Sequence, residues 1–247
     1  MAQKIKVGAV SYLNTKPLIY GFEQGEMMDD IQLVLDYPSK IAQMLLDDEI
    51  DIGLVPVAII PKLKEHYIIS SYGIACDGEV ASVCLFSDVP IGEIKTVLLD
   101  YQSKTSVMLL QVLLKEFWKI SPALIFAEKG YEDEIRGNVA GLVIGDRAFQ
   151  QAKKSIHNYD LGLAWKQHTG LPFIFATWIS NKVIEKKFVS QFEKANSLGL
   201  FHLDEVIKAN ENSVDLEKYY TQNIKFVFTP EMSEVIRLFL NKINNII

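Results

Sequence analysis

The sequence predicts an α/β protein of two lobes, with a cleft between the lobes and two strands crossing from one to the other. Three observations lead there. Apolar strand-like runs alternate with amphipathic helical stretches from Lys4 onward, the grammar of a mainly parallel sheet covered by helices. The same grammar starts afresh at Lys95, and after Asn181 only helical patterns remain.

Each element has a local reason. Lys4 to Val10 is a buried strand, and the polar loop Ser11 to Lys16 follows it. Pro17 suits the first turn of a short helix that ends near Gly21, because a helix start needs no donor from that residue. Ile31 to Asp36 is a second strand. Ser39 is placed to cap a helix with Ile41, Met44 and Leu45 on its inner face. Asp51 to Val55 is a third strand closed by Pro56, and a helix over Val57 to Glu65 leads to a strand over Tyr67 to Ile74.

Ser82 to Ser87 is an apolar strand after the polar turn Asp77-Gly78-Glu79. In the second series, Lys95 to Leu99, Ala123 to Ala127 and Gly141 to Ile144 are strands. Thr105 to Trp118 is a long helix, and shorter helices are expected at Tyr131 to Arg136 and Asp146 to Lys153. Pro172 to Ile179 is a long aromatic-rich strand. Helices are then expected over Lys182 to Ser197, Leu203 to Glu211, Leu216 to Tyr220 and Pro230 to Asn244.

The lobe boundaries that follow are residues 1–86 with 180–247 for the first lobe and 87–179 for the second. Ser82–Ser87 and Pro172–Ile179 are the crossing strands, and the helical tail packs back on the first lobe. Ligands of open α/β sheets bind beyond the carboxyl ends of strands, and domain interfaces are favoured pocket sites.

Composition narrows the function. The chain has 247 residues, with 25 Lys and Arg against 31 Asp and Glu, a net charge of −6. An acidic chain without a basic run is a poor nucleic-acid binder, but a local pocket can still take a small anion. Apolar runs stay well short of the roughly 18 residues of a membrane span, and the run at the N-terminus is too short for a secretory leader. The expectation is a cytoplasmic protein with no membrane and no nucleic-acid partner. Spacing alone permits a disulfide between Cys76 and Cys84; their apolar surroundings favour reduced core thiols. No Cys/His cluster has zinc-ligand spacing.

Nucleophile-elbow, P-loop, dinucleotide and zincin motifs are all missing. His66, His157, His168 and His202 lie outside the strand-end loops and read as surface or structural residues. The informative segments are the loops themselves. Ser11-Tyr12-Leu13-Asn14-Thr15-Lys16-Pro17 joins a strand to a helix. There Asn14 offers both a donor and an acceptor, and a helix start favours a carboxylate. The plainer role for Asn14 or Thr15 is a helix cap. Asp100 to Ser106 has the same context, with Ser103, Thr105 and Ser106 giving more hydroxyls than one cap needs. Gly145-Asp146-Arg147 follows a strand; Gly145 allows close backbone approach, and on spacing alone Asp146 is first a helix cap. Ser82 enters the first crossing strand, and alternation alone does not say which way it faces. Together these loops make a pocket of neutral donors suited to a small di-acid.

These segments carry a family resemblance. Ser11–Pro17, Leu99–Ser106, Ile144–Ala148, and Tyr159-Asp160-Leu161-Gly162 with Trp165 and Thr169–Phe173 resemble, in order, the motifs of the chorismate dehydratases of the futalosine route to menaquinone. The resemblance runs from about Val7 to Trp178. It implies the fold of type II periplasmic binding proteins and a cofactor-free, metal-free lyase. The implied reaction takes water from chorismate to give 3-[(1-carboxyvinyl)oxy]benzoate. It also implies that Asn14 and Ser82 lie near the reacting ring and are the catalytic pair. Ser103, Thr105 and Ser106 then hold a carboxylate, and Ser11, Thr15, Gly145 and Asp146 complete substrate binding. Lys104 stands where the family more often has Arg, which matters only if that side chain meets the anion. The competing reading is a non-catalytic small-anion-binding module, either a solute-binding protein or a sensor domain.

Overall fold

Strand β1 (Ile5–Val10) forms on the expected apolar run, with Val7, Ala9 and Val10 buried. Strands β2 (Ile31–Asp36) and β3 (Ile52–Pro56) pair with it in parallel, so that Val7 lies opposite both Leu33 and Ile52. The structure, a computed structural model, describes residues 4–211, 213–229 and 232–246. Two helices make the parallel connections: α1 (Lys16–Glu23) and α2 (Pro38–Leu46). Tyr37, not Ser39, is the N-cap of α2. Pro38 takes the first helical position, where its missing N–H costs nothing, and this moves the start ahead of Ser39. Val57–Lys62 is a 3-10 helix rather than an α-helix; Pro61 lies inside it and cannot donate to an i→i−4 ladder.

Strand β4 (Tyr67–Cys76) is followed by β5 (Val83–Ser87) and β6 (Thr96–Leu99). Helix α3 (Thr105–Leu113) loosens into a π-turn over Leu114–Trp118. Strands β7 (Ala123–Phe126) and β8 (Val139–Ile144) lead to α4 (Asp146–Gln151). Strand β9 (His157–Asp160) and helix α5 (Leu161–Thr169) come next. Neither shows as an element in the residue pattern, because β9 has only four mixed polar residues and α5 is weakly amphipathic. Strand β10 (Phe173–Ser180), α6 (Lys186–Phe201), α7 (Leu203–Ala209) and α8 (Leu216–Lys218) follow. The last two elements are β11 (Lys225–Val227) and α9 (Met232–Asn244). The expected start of that helix at Pro230 lies outside the described residues.

The first sheet runs β11-β4-β10-β3-β1-β2, with β10 antiparallel to β3 and β11 antiparallel to β4. The segment after Asn181 is therefore not helical throughout: β11, three residues long, pairs with β4. The second sheet runs β7-β6-β8-β5-β9. There β6 is parallel to β7 and β8, while β5 is antiparallel to β8 and β9.

The chain divides into two compact units. The first takes the chain up to Ala75 and again from Ile174 through β11; the second takes Cys76–Phe173 and α9. Crossing therefore occurs at the end of β4 and the start of β10, and β5 belongs wholly to the second unit. The last helix also departs from the expected tail on the first lobe. Its apolar face of Met232, Val235, Ile236, Phe239 and Ile243 is buried. The Phe239 ring packs edge-on against Trp165 at 6.0 Å and Phe173 at 4.9 Å. Lys242 pairs with Glu116, and Lys115 Nζ donates to Asn245 O at 3.2 Å.

In the first unit, α1 and α6 touch backbone to backbone. A Cβ on Gly21 would stand 2.2 Å from Ala195 O, and one on Gly199 would stand 2.0 Å from Pro17 O. Only glycine allows this approach at both places. Helix α6 is itself pinned to β10 by Trp178 Nε1 donating to Asn196 Oδ1 at 2.7 Å. The start of α1 is thereby fixed, and with it the loop that precedes it.

Candidate functional site

The first-unit residues stand at the carboxyl end of β1. Ser11 continues the ladder through its N–H, which donates to Asp36 O at 3.0 Å, and its side chain is exposed. Leu13–Thr15 makes a single 3-10 turn that runs directly into α1. Thr15 is fully buried and its hydroxyl donates to Asn14 Oδ1 at 3.2 Å. Tyr220 reaches from the C-terminal segment to donate its hydroxyl to Leu13 O at 2.9 Å. Neither Asn14 nor Thr15 caps the helix: Thr15 sits at the N-cap position of α1 without a side-chain cap bond. Asn14 is half-buried, held on its acceptor side by Thr15.

The second-unit residues converge on one edge of one sheet. Strands β6 and β8 are parallel and end there at Leu99 and Ile144. Strand β5 is antiparallel to β8 with Val83 opposite Ile144, so Ser82 enters at the same edge. Gly145 N donates to Ser82 O at 2.8 Å, which joins two of the candidate residues through their backbones. Ser82 is buried.

Ser103, Thr105 and Ser106 are all buried at the start of α3. Ser103 Oγ accepts from Ser106 N at 3.0 Å. Ser103 is thus a capping residue that keeps its hydroxyl proton to donate. Lys104, between them, is exposed. Gly145 has φ 65° and ψ −150°, a conformation open in practice only to glycine, and it occupies the N-cap position of α4. Asp146 is therefore the first residue of the helix rather than its cap.

A charged brace stands behind these loops. Asp100 is buried at the end of β6. Its Oδ1 accepts from Gln102 N at 2.7 Å, and its Oδ2 meets Tyr131 Oη at 2.8 Å, Ile144 N at 3.3 Å and Arg147 Nη2 at 2.6 Å. Arg147 also reaches Glu132 and Gln102 Oε1, and its guanidinium lies over the rings of Tyr101 and Tyr131. Burial lifts the Asp100 carboxyl above the usual carboxylate range, and the Arg147 charge and the hydrogen bonds only partly offset it. Tyr131 is pushed up as a phenol by burial and by the neighbouring Asp100 charge. The sequence pattern pointed to Asp100 and Arg147 only as members of their loops. A single carboxylate directly after the apolar run Thr96–Leu99 was the available signal for a buried brace.

Three of the four histidines have partners away from these loops. His168 faces Glu116 at 3.1 Å, His202 faces Glu205 at 3.1 Å, and His157 stacks on Tyr159. Cys76 and Cys84 are buried free thiols, both pushed up by burial. Among the described residues no three His, Cys, Asp or Glu side chains gather as metal ligands would, and no helix is long and apolar enough to cross a membrane.

With this arrangement in view, the comparison with known proteins is direct. A family profile described as menaquinone biosynthesis matches residues 5–245. The chain belongs to that menaquinone biosynthesis family. It is similar to the chorismate dehydratase of Thermus thermophilus, 27% identical over 94% of this chain and 91% of that one. It is also similar to the chorismate dehydratase of Campylobacter jejuni, 23% identical over 88% of this chain and 87% of the other. In structure, this family member resembles protein AF1704 of Archaeoglobus fulgidus, with a TM-score of 0.77 and 14% identity over 98% of this chain and 97% of that one. It resembles as well the Candida albicans CA3427 product, described as having the generic periplasmic binding protein fold, with a TM-score of 0.63 and 15% identity over 99% and 91% of the two chains. The fold of this family member is that of the periplasmic binding proteins, as its motifs implied.

Proposed function

We propose that the protein is a cytoplasmic chorismate dehydratase: a hydro-lyase that removes water from chorismate to give 3-[(1-carboxyvinyl)oxy]benzoate. One observation supports this beyond family membership. The candidate residues at the edge of the second sheet offer hydroxyls, amides and a helix start, and the buried carboxylates there are already saturated with donors. Asp100 receives Gln102 N, Tyr131 Oη, Ile144 N and Arg147, and Asp160 receives the amides of Val80, Ala81 and Leu163. Such an edge suits a substrate that brings its own negative charges.

The start of helix α3 and the hydroxyls of Ser103, Thr105 and Ser106 hold one carboxylate of the substrate. Ser11 and Thr15 at the start of α1 are further substrate contacts, as are Gly145 and Asp146 at the start of α4. Asn14 polarises the departing 4-hydroxyl, and Ser82 orients the enolpyruvyl side. The C3–H bond breaks, its electron pair forms the new ring double bond, and the 4-hydroxyl leaves as water. Aromatisation drives the reaction; orientation lowers the barrier and suppresses competing losses and rearrangements of chorismate.

The C3 proton goes to a carboxylate of the substrate, which passes it to the departing 4-hydroxyl so that water leaves. Asp146 is the one ionisable side chain among the proposed site residues, and it sits in the first turn of a helix, where the positive end favours a charge that stays in place. Turnover of three variants tests the assignment. Asn14→Ala and Ser82→Ala are expected to lose at least about 10²-fold in kcat, with Asp146→Asn losing much less. Near-normal turnover in either alanine variant would remove that residue from the mechanism. A loss of 10²-fold or more in a folded Asp146→Asn would restore a protein base.

A further inference from the structure

Ser82 owes its place to an unusual turn. The residue before it, Ala81, has φ 63°, a left-handed conformation that an alanine rarely adopts. Ser82 N donates to Val80 O at 2.8 Å across Ala81. This is the positive-φ form of the three-residue γ-turn, the strained one of the two. Such strain persists only where the surroundings over-determine it.

One carboxylate holds the turn. Asp160 Oδ2 accepts from Ala81 N at 2.7 Å and from Val80 N at 3.0 Å. Its Oδ1 accepts from Leu163 N at 2.9 Å and caps α5. A cap needs only the Leu163 bond; the two further amides come from a segment about eighty residues away in the chain. Asp160 ends β9 opposite Cys84, two residues beyond Ser82 on β5, so the clasp closes at the edge where Ser82 lies. Gly162 presses the start of α5 onto the same segment: a Cβ there would stand 2.5 Å from Cys76 Sγ and 2.6 Å from Gly78 O.

We propose that Asp160 is a positioning residue for Ser82, holding Ala81 left-handed so that the serine hydroxyl meets the substrate in one orientation. This rests on the chorismate dehydratase reading of Ser82. Asp160 touches no substrate and acts through the turn.

The test uses the full chain and two readouts. In turnover of chorismate, Asp160→Asn, which keeps a good cap for α5, is expected to lose on the order of 10-fold to 10²-fold in kcat with a small change in KM. Ala81→Gly frees the turn without removing the carboxylate and is expected to lose kcat with its melting midpoint unchanged. In the Ser82→Ala background, Asp160→Asn is expected to add no further loss, because the group being positioned is gone. Wild-type kcat in Asp160→Asn, or a full additional loss in the double variant, would overturn the proposal. The second readout is hydrogen exchange of the backbone amides. Asp160→Asn is expected to lose protection at Val80 and Ala81 while Leu163 keeps it, and retained protection at all three would overturn the proposal. If the wild type leaves chorismate unchanged, the dehydratase reading fails, and exchange alone decides whether Asp160 fixes the turn.

Discussion

Arg147 Nη2 stands 2.6 Å from Asp100 Oδ2, and this ion pair ties the loop after β6 to the loop after β8. The carboxylate side chain is fully buried and the guanidinium side chain is 28% exposed. Asp100 opens the loop that leads into the hydroxyl-bearing start of α3, and Arg147 follows Gly145 and Asp146 directly. The pair therefore sets the spacing of two candidate binding loops while its own charges are spent on each other.

Removing the cation strands a buried carboxylate. Arg147→Ala is expected to cost about 2–3 kcal/mol of folding stability, toward the low end for a broken buried pair because the guanidinium is partly solvated. Asp100→Asn leaves Arg147 its contact with Glu132 and is expected to cost less. Urea unfolding of the two single variants and the double variant measures this, and the double is expected to fall short of the sum. Equal, additive losses would mean that the pair is not coupled.

Gly145→Ala places a side chain at φ 65° and ψ −150°. The expected loss is about 1–3 kcal/mol. The N–H bond from Gly145 to Ser82 O sits at the same residue, so turnover is expected to fall more steeply than stability. A variant with unchanged melting midpoint would show that the loop relaxes without strain.

Glu116 provides a pH-dependent anchor for α9. Burial raises its carboxyl, but Lys242 from α9 and His168 from α5 outweigh burial and hold it below its ordinary value of 4.5. A depressed folded-state value stabilises the fold above the unfolded value, and that contribution is lost as pH falls through the folded one. The melting-midpoint gap between wild type and Glu116→Gln is therefore expected to close as the pH falls below the ordinary carboxylate value of 4.5 and through the folded one. A gap that persists undiminished into strong acid would contradict the direction.

Phe239 tests where the last helix belongs. Its ring is buried between Trp165 and Phe173, both in the second unit. Phe239→Ala is expected to cost about 3–5 kcal/mol and to change the fluorescence of Trp165. A loss below about 1 kcal/mol would mean that α9 contributes little to that core.

Much of the fold was legible because apolar runs and helical spacing mark β1, β2, β3, β6 and β8 within a residue or two, and the start of α3. What escaped had no such pattern. Strand β11 has three residues, and its partner β4 lies far away in sequence, so only tertiary pairing makes it a strand. The docking of α9 was hidden because its apolar stripe says that a face is buried, not against what. Among the candidate residues, Gly145 was legible as a close-approach glycine, and Ser103 as one hydroxyl of a helix start. Asp160 entered only as a member of a family motif and the left-handed Ala81 not at all, because a clasp between segments so far apart leaves no local signature.

The dehydratase reading stands or falls on one incubation. Purified protein is mixed with chorismate, without added metal or nucleotide, and the products are followed by mass spectrometry. The account predicts enzyme-dependent appearance of the mono-dehydrated aromatic ether, 3-[(1-carboxyvinyl)oxy]benzoate, unaffected by a chelator and lost in Ser82→Ala. Chorismate recovered unchanged beyond its spontaneous decay, from demonstrably folded protein, would contradict it and leave a small-anion-binding module or an enzyme for another substrate.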